Sequence, residues 1–185
     1  YGEEEKIKGM KDYKRTYELS QPKKIDEEMP LQLSYRHLAT LVQIEEKWNN
    51  LKKILLRTEQ IPENIKKEDE KRIRRRAEHA NFWIQKYAPK QILFKVKKEL
   101  PKINLSKKQK DFLQNLKKEF ESKKWNGENI HQAIYDAVEK TEIKPGLGFK
   151  TIYQIILNKN KGPRAGYFLS NLEKEFVINR ISKAI

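Results

Sequence analysis

The chain has 185 residues, with 41 Lys and Arg against 26 Asp and Glu, a formal charge of +15 and a pI near 9.7. The absence of Cys excludes disulfides, thiolate zinc sites and cysteine nucleophiles. No run approaches the roughly 20 apolar residues that a membrane-spanning helix needs. The expected setting is therefore the cytoplasm, with no membrane and with a polyanion, RNA first, as partner.

Residues 1–33 are charged and punctuated by Gly2, Gly9, Pro22 and Pro30, with a moderate helical signal around Glu3 to Leu19. The chain begins with Tyr1 rather than Met, which suggests a fragment or a processed product. Tyr35 to Thr58 reads as helix, with Ser34 as N-cap and Leu41, Ile44, Trp48, Leu51 and Leu55 as its stripe. No Gly or Pro says whether this is one helix or two broken near Glu45. Glu68 to Tyr87 is the clearest run: Ile73, Ala77, Ala80, Ile84 and Tyr87 share one face, and Pro89 stops it. Ile92 to Val96, between Pro89 and Pro101, is β-like but isolated; it reads as an extended connector between two helical parts.

Ser106 and Gln109 form a capping box ahead of Phe112, Leu113, Leu116 and Phe120. Asn126 caps a helix carrying Ile130, Ala133, Ile134, Ala137 and Val138. Pro145 opens another, with Phe149, Ile152, Tyr153 and Ile156 inward, and Pro163 is expected to open a short one. A last helix starts near Glu173 and buries Phe176, Val177 and Ile181. The fold class is all-α, a two-part helical bundle, with boundaries at 1–33, 34–100 and 101–185.

No catalytic constellation is visible. His37, His79 and His131 lack metal-ligand spacing, Asp26, Glu27 and Glu28 read as a solvated acidic run, and no Gly-rich phosphate loop is present. The basic clusters are more informative. Lys71 to Arg76 holds five cations in six residues, either a solubilising face or a set of phosphate contacts through Arg72, Arg75 and Arg76. Aromatic residues beside cations suit unstacked RNA bases: Tyr35 with Arg36 and His37, Phe82 and Trp83 near the arginines, Trp125 after Lys123 and Lys124, and Tyr167 near Arg164. In KNKGPRAGYFLSNL, residues 159–172, the Gly162-Pro163 step ends one connection and starts a helix, and Gly166 allows close helix packing. Lys159, Lys161 and Arg164 surround that start and are candidate phosphate ligands.

Several segments taken in order, KRTYELSQP (14–22), YRHLATLVQI (35–44), HANFWIQKYAP (79–89), NIHQAIYDAV (129–138) and FKTIYQIILNKNKGPRAGYFL (149–169), resemble the C-terminal region of class I lysyl-tRNA synthetases of the archaeal type. The closing Gly-Pro segment also resembles the end of glutamyl-tRNA synthetases, whose anticodon-binding domain is related in fold. The resemblance implies an α-helix cage that receives the anticodon stem-loop of tRNA(Lys), preceded by a connector over residues 1–33. It implies a separate N-terminal catalytic domain that holds ATP through an H-x-G-H motif and a K-M-S-K-S-like loop; neither motif occurs here. The chain by itself is then expected to be a monomer with no enzymatic activity and no cofactor. Two other readings stay open: a helical protein–protein docking module, and a stand-alone RNA-binding paralogue of the domain.

Overall fold

In the computed structural model, the described residues are 13, 15, 16, 18–20 and 30–185. The chain divides into two units, Tyr1–Gln32 and Leu33–Ile185. In the first, Tyr13, Arg15, Thr16 and Glu18 to Ser20 are helical, and Arg15 pairs with Glu18 at 3.4 Å. The remaining helical expectation there, the Pro22 break, the 1–33 connector and the acidic run 26–28 lie wholly or partly outside the described residues.

The second unit contains α1 (Tyr35–Leu41), α2 (Trp48–Arg57), α3 (Lys67–Lys86), α4 (Lys107–Ser122), α5 (Gly127–Thr141), α6 (Pro145–Leu157), α7 (Ala165–Ser170) and α8 (Lys174–Ala184). No strand occurs among the described residues. Residues on both sides of the 100/101 boundary fall within this one unit.

The expected caps form. Ser106 Oγ accepts from the Gln109 backbone N–H at 3.4 Å, and Gln109 Oε1 accepts from the Ser106 N–H at 3.0 Å. Asn126 Oδ1 accepts from the Asn129 N–H at 2.9 Å, and Pro145 occupies the first position of α6. These groups satisfy backbone donors that a helix start leaves without partners. Helix α4 packs on α5 and α8, α5 on α6 and α7, and α1 on α3. Phe112, Leu116, Phe120, Ile134, Ile156, Phe168 and Ile181 fill the main core. Each large apolar side chain buried there contributes roughly 1.5–3 kcal/mol.

Four expectations need correction or completion. The run Tyr35 to Thr58 is two helices, and Glu45 makes the break: its carboxylate accepts from the Lys47 N–H at 2.8 Å and from the Asn50 side chain at 3.0 Å. The second helix is then tied to α3 by Lys52 and Glu70 at 2.7 Å. Ser34 stands at the N-cap of α1, but its side chain makes no capping bond. Tyr87 is not on the buried stripe. It is the C-cap of α3 with φ −126°, so its ring leaves the helical face and stands edge-on to exposed Phe82, 5.9 Å away.

Pro163 does not open α7 either. Arg164 is the N-cap and Pro163 stands before it, with its carbonyl accepting the Tyr153 hydroxyl proton. A Cβ on Gly162 would lie 2.8 Å from two Tyr153 ring carbons. The Gly-Pro step is therefore shaped to lie against Tyr153, whose hydroxyl is pushed up to about 12 by burial and stays protonated. Gly166 does allow close packing: a Cβ there would come 2.3 Å from the Gly127 carbonyl oxygen, so α7 crosses α5 at backbone distance.

The stretch between α3 and α4 is an extended strap without a strand partner. Side chains and one backbone bond replace a ladder. Gln43 Oε1 accepts from the Phe94 N–H at 2.8 Å, the Lys159 ammonium donates to the Leu93 carbonyl, and the Lys97 N–H donates to the Ile156 carbonyl at 2.9 Å. Arg180, 3% exposed, donates to the Ile155 carbonyl at 2.7 Å and to the Lys97 and Lys98 carbonyls at 2.5 and 3.0 Å.

Three substitutions test this packing. Gly166→Ala is expected to cost about 1–3 kcal/mol through overpacking against fixed backbone, whereas Gly146→Ala, where a Cβ meets nothing within 4 Å, is expected to be neutral or stabilising by up to about 1 kcal/mol. Arg180→Met is expected to cost roughly 3 kcal/mol by removing the donor to the buried Ile155 carbonyl and to the part-buried strap carbonyls. Urea unfolding of each variant measures the change.

Candidate nucleic-acid interface

The second unit has a cleft of about 760 Å³ between α1, the end of α3, the strap and the loop leading into α7. Tyr35, Arg36 and His37 come from the first turn of α1, Trp83 and Ile84 from α3, and Ile92 to Phe94 from the strap. Lys161 to Arg164, Tyr167 and Asn171 close the other side. The fold thus brings Arg36 and His37 together with Lys161 and Arg164, more than 120 positions away in the chain.

Arg36, Lys161 and Arg164 are exposed, and among the described residues the lining contains no Asp or Glu. Three cations without a lining carboxylate give the cleft a positive potential that its low-dielectric walls concentrate. Most other arginines of the described residues are engaged. Arg72 pairs with Asp69 at 3.2 Å and Arg74 with Glu78 at 3.0 Å. Arg57 donates to the Asn171 and Leu172 carbonyls at 2.9 and 3.2 Å and pairs with Glu173 at 2.7 Å. Among the described residues, Arg36, Arg75 and Arg164 are the arginines without a hydrogen bond or ion pair. Two of these three line the cleft.

His37 adds no cation at neutral pH, because burial pushes its imidazole below the usual value. Its Nε2 is buried without a partner, as is Asn171 Oδ1. The aromatic wall is held in place: the Tyr35 hydroxyl donates to the His79 carbonyl at 3.2 Å, and its ring meets Trp83 edge-on at 6.4 Å. Phe94 meets Phe168 edge-on at 5.4 Å below the strap.

The remaining candidates stand elsewhere. Arg72 and Arg75 are exposed on α3, but Arg76 is half-buried and donates to the Leu33 carbonyl at 3.2 Å. Trp125 is also half-buried; its indole N–H donates to the Leu172 carbonyl at 3.0 Å, and its ring stands edge-on to Phe120 at 5.2 Å. Lys159 is occupied with the Leu93 carbonyl. Sequence reasoning passes over Asn171, Gln43 and the strap residues. Their types carry no signal, since only the tertiary fold places them beside Arg36. Among the described residues, no group of His, Asp or Glu has the geometry of a metal site, and no helix is long and apolar enough to cross a membrane.

The arginine run separates by substitution. Arg75→Ala is expected to leave stability within about 0.5 kcal/mol. Arg76→Ala is expected to lower it by about 1–2 kcal/mol, because the carbonyl bond and the packing of its stem both disappear. Chemical denaturation of the two variants reads the difference.

Residues 67–185 match the family model described as anticodon binding domain. The chain is 35% identical over 192 aligned positions to a lysine--tRNA ligase of Methanosphaera stadtmanae, covering 97% of this chain and 36% of that protein. It is 31% identical to a lysine--tRNA ligase of Picrophilus torridus, over 94% of this chain and 33% of that protein. For a lysine--tRNA ligase of Thermococcus kodakarensis the identity is 34%, over 91% of this chain and 32% of that protein. The chain spans about a third of the length of these relatives. With a family match that runs from the start of α3 to the last residue, the chain belongs to the anticodon binding domain family.

Proposed function

We propose that this chain is the tRNA-binding region of a class I lysine--tRNA ligase and that it recognises the anticodon stem-loop of tRNA(Lys) at the cleft. The observation that carries the reading is a cleft lined by Arg36, Lys161 and Arg164 with aromatic walls and, among the described residues, no acidic one. Cations grip the phosphate backbone without regard to sequence, and aromatic faces take unstacked bases. Lysine anticodons are rich in uridine, which stacks weakly, so hydrogen bonds to base edges supply the discrimination. A separate catalytic part of the same polypeptide, in the cytoplasm, uses ATP to attach lysine to the tRNA positioned here. The chain itself, a monomer without cofactor, supplies binding and does not activate lysine; the family and its lysine--tRNA ligase relatives support this division of labour. The exposed pair Phe82 and Tyr87, 54% and 68% exposed, favours one further role, an apolar contact with another protein surface.

A binding titration tests the RNA reading. Affinity for tRNA(Lys) is expected to fall steeply with salt, and Arg36→Ala or Arg164→Ala to make the log–log slope shallower by roughly 0.7–0.9 for each phosphate no longer neutralised. Replacing the anticodon at fixed salt is expected to cost about 1–3 kcal/mol for each base edge no longer read. Salt-independent binding, or equal affinity for both transcripts, contradicts the proposal.

A further inference from the structure

Two arginines of the described residues lie over an aromatic ring. Arg180 lies over Phe176, with its donors committed to backbone carbonyls. Arg164 makes no hydrogen bond or ion pair, and its guanidinium carbon lies over the Tyr167 ring, 5.3 Å from the ring centre. The ring is confined from another side. A Cβ on Gly127 would lie 2.7 Å from Tyr167 Cδ1 and 3.0 Å from Cε1, so the ring packs against the glycine at the first position of α5. Gly127 has no positive φ, and its helix start is already capped by Asn126. Neither backbone conformation nor capping calls for glycine there; what the missing Cβ provides is the space the ring occupies. Tyr167 is 48% exposed, so its ring is not a core residue.

We propose that Gly127 and Tyr167 are positioning residues that hold the Arg164 guanidinium flat at the rim of the cleft, and that the outer face of this guanidinium stacks an unpaired RNA base. The inference rests on the RNA-binding reading above. Its chemistry follows from the planarity of the guanidinium, which stacks on rings and on bases where an ammonium cannot. Tyr167 stands on one side of the guanidinium, 5.3 Å from its carbon to the ring centre, which leaves the other side for a base. Restraint of the side chain by the ring before RNA arrives limits the freedom lost on binding.

The test is a titration of a tRNA(Lys) anticodon stem-loop with the full chain and four variants. Tyr167→Phe keeps the ring and is expected to bind within about twofold of the original. Arg164→Lys is expected to bind on the order of tenfold more weakly, the scale of one base–side-chain stack. Gly127→Ala displaces the ring from an otherwise helix-compatible position, and is expected to retain thermal stability while binding more weakly by a similar factor. The double variant Gly127→Ala with Arg164→Lys is expected to be no weaker than Arg164→Lys alone, because the glycine acts through the arginine. With one loop base replaced by an abasic site, the Arg164→Lys penalty is expected to vanish while the salt slope stays unchanged.

Unaltered binding by stable Gly127→Ala overturns the positioning role, as do additive penalties in the double variant. A penalty for Arg164→Lys that persists with every abasic loop and comes with a shallower salt slope overturns stacking in favour of a phosphate contact. Failure of the original chain to bind the stem-loop at low salt overturns the RNA reading itself, and this inference with it.

Discussion

An extended segment with no strand beside it must still find partners for its buried N–H and C=O groups, and the strap between α3 and α4 finds them in distant side chains. Gln43 reaches it from beyond α1, Lys159 from the end of α6, and Arg180 from α8. These bonds fix the strap against both the α1–α3 segment and the α4–α8 core. The cleft exists because of them, since Ile92, Leu93 and Phe94 form one of its walls. The buried Arg180 is held by carbonyl groups rather than by a carboxylate, so its charge and the strap's acceptors depend on each other.

Two kinds of basic residue emerge from this arrangement. Arg57, Arg76, Lys159 and Arg180 are committed inside the fold, each donating to a backbone carbonyl. Lys123 and Lys140 bridge Glu119 and Asp136 between α4 and α5; hydrogen bonds from these lysines hold both carboxyls below the usual range. Arg36 and Arg164 have no such duty and sit together at the cleft. A net charge of +15 therefore says less about the partner than where the unengaged cations lie.

Much of the helical framework is legible in the sequence because local chemistry decides it. The Ser106–Gln109 box, the Asn126 cap and Pro145 each act within one helical turn, and the stripes of α3, α4 and α5 follow the helical period. What escapes lacks a Gly or Pro marker, lies at a helix edge, or depends on a partner further along the chain. The break before α2 rests on Glu45, an ordinary helix former whose carboxylate captures the next backbone donor. Tyr87 continues the spacing of its helix but falls one residue past the end. Pro163 has the look of a helix opener, yet it serves a tyrosine ten positions earlier. In the site, local sequence offers Arg36, Lys161 and Arg164 only as separate basic residues, and the strap explains why they meet. Nothing local tells Arg75, free in solvent, from Arg76, turned to Leu33.

The central claim is that RNA enters the cleft and not another basic face of the molecule. Photocrosslinking of a tRNA(Lys) transcript carrying 4-thiouridine in the anticodon, followed by mapping of the modified peptides, addresses it directly. Crosslinks within residues 34–37 and 161–171 are the predicted result. Crosslinks confined to the exposed faces of α4 and α8, with none in either cleft segment, would contradict it.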